Sequence, residues 1–210
     1  MNKKHIAILA MLACLHSPAL WAQAAGAAAP ATPSDTAAAQ PAEPDTLILS
    51  DTLHYDDIRR ESTFTGNVVL TRGNMTLNAD KLVTREDADG HQFGTATAEK
   101  TGLVHIRQEN PENFETIRAR GVRAEYDGKV ETITLIGQAV ITRYICGKTF
   151  DNLRGERIIY HQKTGVYEAF GGANSAGEGG RVRSLIQPRS RVDQAIAECR
   201  KAAGQKAAGQ

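Results

Sequence analysis

The chain has 210 residues and a formal net charge of +1, with 41% hydrophobic and only 5% aromatic residues. Its 25 basic residues are nearly balanced by 24 acidic ones, and this balance argues against a uniformly basic surface for nucleic acid. No nucleic-acid partner is therefore predicted.

The N-terminus predicts a secretory signal peptide over residues 1–24. A basic start at Lys3 and Lys4 precedes an apolar run, 6–15, that is too short to cross a bilayer. Ala22–Ala24 supplies a small-x-small cleavage pattern, and a lipoprotein cleavage at Cys14 would fall too early in the apolar run. Removal of residues 1–24 leaves 23 basic and 24 acidic residues, and we expect a soluble, exported mature protein.

The composition then divides the mature chain into three parts. Residues 25–45 are mostly Ala, Pro and Thr and predict a solvated linker, because no apolar face can form there. Residues 46–187 predict one ordered domain, with a flexible Gly-rich loop at 171–180. Residues 188–210 predict a polar tail, partly helical or disordered, with too few large apolar residues to dock firmly.

A spacing of eleven residues between a Tyr and a Gly occurs three times in this domain. The pairs are Tyr55 and Gly66, Tyr126 and Gly137, and Tyr160 and Gly171. An apolar residue stands two positions before each Tyr and a small one five positions before it, and in the related stretch 79–84 Thr84 takes the place of the Tyr. Repeated units of this kind predict strand-turn-strand elements that stack on one another.

Within these units the apolar residues alternate with polar ones. The stretches 64–70, 75–79 and 133–141 show this period of two and are bounded by Gly, Asn or Asp. The pattern indicates half-buried antiparallel strands, and strands without intervening helices give a sandwich, a jelly roll or an open barrel. The inward residues are mostly aliphatic. Periodicity does not distinguish a filled interior from an apolar trough that could hold alkyl chains.

Motifs for other chemistry are incomplete. Gly147-Lys148-Thr149 lacks the first Gly of a phosphate loop, and the acidic turn 86–90 lacks most of a calcium loop. The histidines of the domain are scattered, and no nucleophile elbow occurs. No enzyme, metal site or cofactor is predicted.

Two groups of motifs resemble a known family. The first is Ser50-Asp51, then 64–73 (FTGNVVLTRG), then 78–83 (NADKLV), and the second is 121–126 followed by 135–140 (LIGQAV). Over about residues 46–170 the chain resembles the LptA, or OstA-like, family of periplasmic lipopolysaccharide-transport bridge proteins. The long linker, the two mature cysteines and the Gly-rich stretch with its tail depart from the common pattern.

The resemblance implies an all-β fold, a slightly open antiparallel β-jelly roll whose interior receives the acyl chains of lipid A. It implies a periplasmic location and a role in carrying lipopolysaccharide from the inner to the outer membrane. The expected partners are lipopolysaccharide, further copies joined head to tail, the inner-membrane anchor LptC and the outer-membrane translocon LptD.

We expect the inward positions of the repeated units to line the lipid path. By parity these are Ile48, Val68, Leu70, Met75, Leu77, Val104, Ile106 and Tyr126. In the first strand, parity leaves open whether Leu47 and Leu49 or Thr46 and Ile48 face the trough.

Two further expectations concern assembly and covalent structure. The first strand and a late strand are predicted to be open edges that add strands from other molecules. The edge positions are Thr46, Leu47 and Leu49 in the first strand and Val166, Tyr167 and Phe170 in the late one.

Cys146 and Cys199 are the two mature cysteines, and an oxidising compartment favours one disulfide between them.

Two other functional classes remain open. A structural or adhesin-like β-solenoid would have the same repeats but a filled core, and it would not co-purify with lipopolysaccharide. A secreted β-sandwich hydrolase would need a catalytic constellation that the sequence does not contain.

Overall fold

A computed structural model describes residues 44–99 and 102–208. The predicted signal peptide and all but the last two residues of the predicted linker lie outside the described residues. All described elements belong to one compact unit, Glu43–Gln210. They are β1 (Thr46–Leu49), β2 (Thr52–Asp56), β3 (Glu61–Arg72), β4 (Met75–Glu86), β5 (Gln92–Thr97), β6 (Val104–Asn110), β7 (Glu115–Gly121), β8 (Arg123–Asp127), β9 (Thr132–Ile145), β10 (Lys148–His161), β11 (Val166–Phe170), β12 (Arg183–Leu185) and α1 (Arg189–Ala208), with short 3₁₀ turns at Pro111–Asn113 and Glu178–Gly180.

The strands form one twelve-stranded antiparallel sheet in which four long strands each belong to two halves. One end of β3, β4, β9 and β10 pairs with one set of short strands, and the other end pairs with a second set. Half A has the order β1-β3-β4-β6-β7-β9-β10-β12, and half B has the order β2-β3-β4-β5-β8-β9-β10-β11. This arrangement confirms the predicted antiparallel β-jelly-roll class.

Bulges mark the crease where the long strands pass between the halves. Gly66–Asn67 in β3 and Gly137–Gln138 in β9 have positive φ values of 83°, 46°, 72° and 51° in that order. The pairing register of β3 with β4 shifts between Thr65 and Val68. An extra residue of this kind bends a strand and increases its twist, and Gly tolerates the conformation without steric cost.

The Tyr spacing follows from the way residues line up across half B. Its outer rung is a continuous cross-strand row: Tyr55, Ser62, Thr84, Gly94, Tyr126, Ile133, Tyr160 and Tyr167. The inner rung, one layer nearer the crease, is Leu53, Phe64, Leu82, Ala96, Ala124, Leu135, Ile158 and Ala169. The three repeat tyrosines and Thr84 therefore occupy equivalent places.

Half A has matching rows. Its inner rung is Ile48, Leu70, Leu77, Ile106, Ala119, Ile141, Leu153 and Ser184. Its outer rung is Thr46, Arg72, Met75, Gln108, Ile117, Arg143 and Asp151. The main hydrophobic core lies at the crease and includes members of both inner rungs.

Small residues are required at the crease because backbones approach closely there. Val104 pairs with Gly121, and Ala139 pairs with Gly155. A Cβ added at Gly155 would lie 2.8 Å from the carbonyl oxygen of Phe170. This contact explains the small residue five positions before Tyr160, and backbone oxygens 3.4 Å from an added Cβ at Gly121 leave little room five positions before Tyr126.

The C-terminal segment differs from the expected loose tail. Helix α1 packs through Val192, Ala195 and Ile196 against Ile145 and Phe150 in a second hydrophobic cluster. Few apolar residues are involved, but Ile145 is fully buried by this packing. Among the described residues, no helix has both the length and the apolar character needed to cross a membrane.

From the close backbone contacts at the crease we predict that an added side chain lowers the free energy of unfolding at some glycines and not at others. Gly155→Ala should lower the free energy of unfolding by about 1–3 kcal/mol, the usual cost of overpacking, because its Cβ meets backbone. Gly94→Ala is the matched control, since an added Cβ there meets only the Tyr126 Cβ at 3.8 Å. Urea denaturation measures both values, and equal losses for the two variants would contradict the close approach.

Candidate functional site

An apolar cavity of about 860 Å³ lies between the two halves of the sheet. The inner rung of half A forms one wall, through Ile48, Leu70, Leu77 and Ile106. The facing wall comes from both rungs of half B: Leu82, Ala96, Ala124, Tyr55, Tyr126 and Ile133. The cavity thus runs along the rows that the repeated units build.

Six of the eight predicted lining residues border this cavity. They are Ile48, Leu70, Met75, Leu77, Ile106 and Tyr126. Val68 and Val104 have the predicted parity, but they are only 1% and 0% exposed and pack in the core at the crease. Contact of any of the eight with lipid remains a prediction.

The structure settles the face of the first strand. Thr46 and Ile48 line the cavity. Leu47 and Leu49 point away from it and are 58% and 57% exposed. Ile48 packs against the main core, so the face that holds it is the inward one.

One mouth of the cavity carries charged and aromatic groups that the periodicity did not identify. The Arg85 guanidinium lies 4.6 Å from the centre of the Phe93 ring. Arg60 Nη1 lies 3.6 Å from Glu86 Oε1. These residues lie in or next to turns at strand ends, where no alternation marks them. Tyr55 at this mouth had a sequence signal, as the Tyr of the first repeat, whereas Arg60, Arg85 and Phe93 had none.

Tyr55 is also polarised at this mouth. Its hydroxyl donates a hydrogen bond to Asp57 Oδ1 at 3.1 Å. That hydrogen bond is the largest cause of a raised pKa for Tyr55. The phenol therefore stays neutral as a hydrogen-bond donor at the cavity rim.

Toward β9, β10 and β11 the rungs carry polar and aromatic side chains, and these side chains are engaged with one another. Arg143 of the outer rung of half A forms ion pairs with Glu115 and Asp151, and Arg143 Nε donates to Asp151 Oδ2 at 2.7 Å. Tyr160 and Tyr167 of half B stack with ring centroids 4.4 Å apart. Burial, followed by the charges of Tyr160 and Glu115, raises the pKa of Tyr167 to about 12, and Arg143 opposes the shift.

The structure contains a disulfide between Cys146 and Cys199, with their Cα atoms 6.4 Å apart. Cys146 lies in the turn between β9 and β10, and Cys199 lies in α1. The bond therefore ties the C-terminal helix to the end of half A, across 53 residues of sequence.

The predicted edge positions lie in terminal strands of the described sheet. Thr46, Leu47 and Leu49 belong to β1, which pairs only with β3 there. Val166, Tyr167 and Phe170 belong to β11, which pairs only with β10. In the same part of the chain β2 and β12 also have one partner each, and neither was predicted as an edge. Assembly through these edges remains a prediction.

The acidic turn and the incomplete phosphate loop have local structural roles. Asp87 Oδ1 accepts hydrogen bonds from the N–H groups of Asp89 and His91 at 3.0 and 2.9 Å. Asp87, Asp89 and His91 place ligand-type atoms within 4.8 Å of one another, but the carboxylate of Asp87 is engaged in closing the turn.

Cys146 and Gly147 both have positive φ, as a tight hairpin turn requires, so Gly147–Thr149 forms a hairpin rather than a phosphate loop.

A family model described as LptA/(LptD N-terminal domain) LPS transport protein matches residues 47–166. The chain is 26% identical over 131 residues to the lipopolysaccharide export system protein LptA of Escherichia coli (strain K12), covering 62% of this chain and 64% of that relative. The chain thus spans somewhat less than two thirds of that relative's length. It is 25% identical over 155 residues to the lipopolysaccharide export system protein LptH of Pseudomonas aeruginosa, covering 74% of this chain and 80% of LptH.

A solved structure has the same fold. It is the crystal structure of LptH, described as the LptA homologous periplasmic component of the lipopolysaccharide transport device of Pseudomonas aeruginosa. The TM-score is 0.56 at 22% identity, with 69% of this chain and 96% of that chain covered.

The raised pKa of Tyr167 predicts a loss of stability at alkaline pH. The unfolded chain releases the phenol proton near its ordinary pKa of about 10, whereas the folded chain holds it to about 12. This contribution is complete below pH 10 and is lost as the pH rises toward 12. Melting temperatures from pH 8 to 12 should fall more steeply for the parent than for Tyr167→Phe.

The comparison at pH 8 serves as the control, because the phenol is neutral in both states there and any difference reflects packing alone. Identical slopes for the two proteins above pH 10 would contradict the shift.

Proposed function

This chain belongs to the LptA/(LptD N-terminal domain) family of LPS transport proteins, and we propose from this membership that it is a non-catalytic periplasmic carrier of lipopolysaccharide. In this role it binds lipopolysaccharide leaving the inner membrane and passes it toward the outer membrane. The acyl chains of lipid A lie in the cavity between half A and half B during the passage.

The observation that carries the proposal is the apolar cavity. Its volume of about 860 Å³ lies in the range of about 300–1,000 Å³ that is usual for binding sites. Each methylene group moved from water into such surroundings is worth about 0.8 kcal/mol, so several exposed acyl chains could not cross an aqueous compartment unaided. Walls of aliphatic residues on both sides supply the surroundings that the chains need.

The charged mouth fits the other part of the same ligand. Arg60, Arg72 and Arg85 border the cavity together with Asp57 and Glu86. Lipid A carries phosphate groups, and guanidinium groups are suited to bind phosphate. In the proposed complex the phosphates and sugars stay at the mouth, next to Arg60 and Arg85, while the acyl chains enter the cavity.

The open edges support a bridge made of like folds. β1 and β2 form one side of the described sheet, and β11 and β12 form the other. Strand addition between these unlike edges would join copies head to tail and align their interiors. The proposed partners at the ends of the bridge are the anchor LptC at the inner membrane and the translocon LptD at the outer membrane.

The β-solenoid interpretation requires a filled interior. The cavity between the two halves, and the pairing of each long strand with two different sets of short strands, do not fit a solenoid. The carrier is therefore the function that the geometry favours.

Photocrosslinking tests where the lipid lies. A benzophenone amino acid at Tyr126 or Met75, which border the cavity, should capture purified lipopolysaccharide on irradiation. The matched control is Thr76, whose side chain points to the opposite face of the same strand and should give near-background capture. Adducts are measured by the mass shift of the protein, and equal capture at Met75 and Thr76 would refute the proposed path.

Assembly through the first edge is tested with a charge. Leu47→Lys places an ammonium group on β1, and charged side chains on an edge strand oppose strand addition. We expect roughly tenfold weaker self-association, which corresponds to about 1.4 kcal/mol, measured by sedimentation velocity over a range of concentrations.

Val130→Lys is the matched control, because Val130 and Leu47 are both 58% exposed but Val130 lies in the turn between β8 and β9. If the two folded variants associate alike, β1 is not an assembly edge.

A further inference from the structure

The rungs that line the cavity continue beyond its end. In half A the outer rung runs on from Gln108 to Ile117, Arg143 and Asp151. In half B it runs on from Ile133 to Tyr160 and Tyr167. The described residues that border the cavity nevertheless include none from β7, β11, β12 or α1. The cavity therefore does not extend to the part of the interior where these later strands face each other.

Helix α1 lies over the inward face of half A in this region. Ile141 belongs to the inner rung and packs on the main core. Ile145 has the same parity four residues later on β9, without a register shift against β7, and it packs against Val192 and Ile196 of α1. The helix thus covers the same face of the sheet that, nearer β1, is open to the cavity.

The segment before α1 is tied to the same face. The backbone N–H of Gln187 donates to Asp151 Oδ1 at 2.8 Å. Asp151 also holds Arg143, its partner on the outer rung. The chain therefore turns from edge strand β12 directly onto the inner surface of half A.

The noncovalent contact of α1 is small. Val192 is the one described side chain of α1 that is buried, and Ala195, Ile196 and Cys199 are half-buried. The other described side chains of the helix are exposed. A helix held by so little apolar area needs another restraint, and the Cys146–Cys199 disulfide supplies it.

The family model ends at residue 166, so α1 lies outside the matched range. The matched part contains most residues of the rungs, but not Thr46 in β1 or the rung residues of β11 and β12.

We propose that α1 is a lid over a second segment of the groove, that this segment binds long alkyl chains of an amphiphile, and that the Cys146–Cys199 bond holds the lid shut. The identity of the amphiphile rests on the proposed function. When the lid leaves, Ile145 and Phe150 join the inner rung residues of β7 and β9 as an apolar floor, continuous with the cavity. With the lid closed, alkyl chains are confined to the cavity that β1–β6, β8 and the start of β9 border.

The test places a benzophenone amino acid at Ile117, on the outer rung of the covered segment, and at Met75, on the same rung of the open segment. Three full-length proteins are compared: the oxidised parent, Cys146→Ser/Cys199→Ser, and this double variant with Val192→Asp. Capture of purified lipopolysaccharide at Ile117 should be near background in the parent and rise several-fold in the triple variant, with the double variant between them. Capture at Met75 should be similar in all three.

The matched control for the triple variant replaces Val192→Asp by Val182→Asp, since Val182 is 39% exposed and lies before β12. It should behave like the double variant. Strong capture at Ile117 in the parent would show that no lid exists, and absence of capture there in every variant, with Met75 still active, would show that the covered segment does not bind alkyl chains.

A second readout separates the lid from the proposed cargo. Fluorescence of N-phenylnaphthylamine, a small apolar dye, should increase in the triple variant relative to the parent because Ile145 and Phe150 become accessible. This increase is expected even if lipopolysaccharide is captured nowhere, in which case the proposed function fails and the lid stands. Unchanged dye fluorescence would overturn the lid.

Discussion

The fold depends on the passage of four long strands through the crease. Each strand must bend sharply there while it keeps its hydrogen bonds, and the bulges at Gly66–Asn67 and Gly137–Gln138 provide the bend in β3 and β9. Small residues at Gly121 and Gly155 let the backbones approach. With these conditions met, the two rows of inward side chains in half A face the two rows in half B. The space between the two halves becomes the cavity. A larger side chain at the crease would push the halves apart and expose the core.

The interior changes character along the sheet. Where β1–β6, β8 and the start of β9 border the cavity, its walls are mainly aliphatic and enclose open volume. Near β9–β11 the outer rungs carry Arg143, Asp151, Tyr160 and Tyr167, and α1 with its disulfide packs at the end of half A. An alkyl chain gains free energy only where it replaces water against apolar groups, so the present structure offers its best binding at the N-terminal side. Arg143 is balanced by two carboxylates, which leaves no excess positive charge in that cluster for a phosphate.

Much of this organisation could be predicted from the sequence, because in a β-sheet the spacing of residues along the chain determines which face and which cross-strand row they occupy. The common spacing of Tyr55, Tyr126 and Tyr160 placed them on one rung, and parity found the face of Leu70 and Met75. Parity shows which face of the sheet a side chain is on, but not whether it reaches the cavity or is buried in the core. Val68 and Val104 were therefore expected to line the cavity, but they are buried in the core at the crease. The docking of α1 had only one sequence signal, the pairing of Cys146 with Cys199, because its packing uses Val192 and Ile196 instead of a long apolar stripe. The mouth residues Arg60 and Arg85 follow turn geometry, which has no period.

The two sides of the sheet are unlike, and this difference gives any chain of subunits a direction. Contacts between β1 and β2 of one copy and β11 and β12 of the next would be heterologous, so each addition would leave the same pair of unlike ends free. Such a polymer has polarity and no built-in length. Growth would stop only where an end of the polymer meets a protein that has one matching edge and lacks a free edge at its other side. The distance spanned would then be set by the terminating proteins and the supply of subunits, and not by the subunit itself.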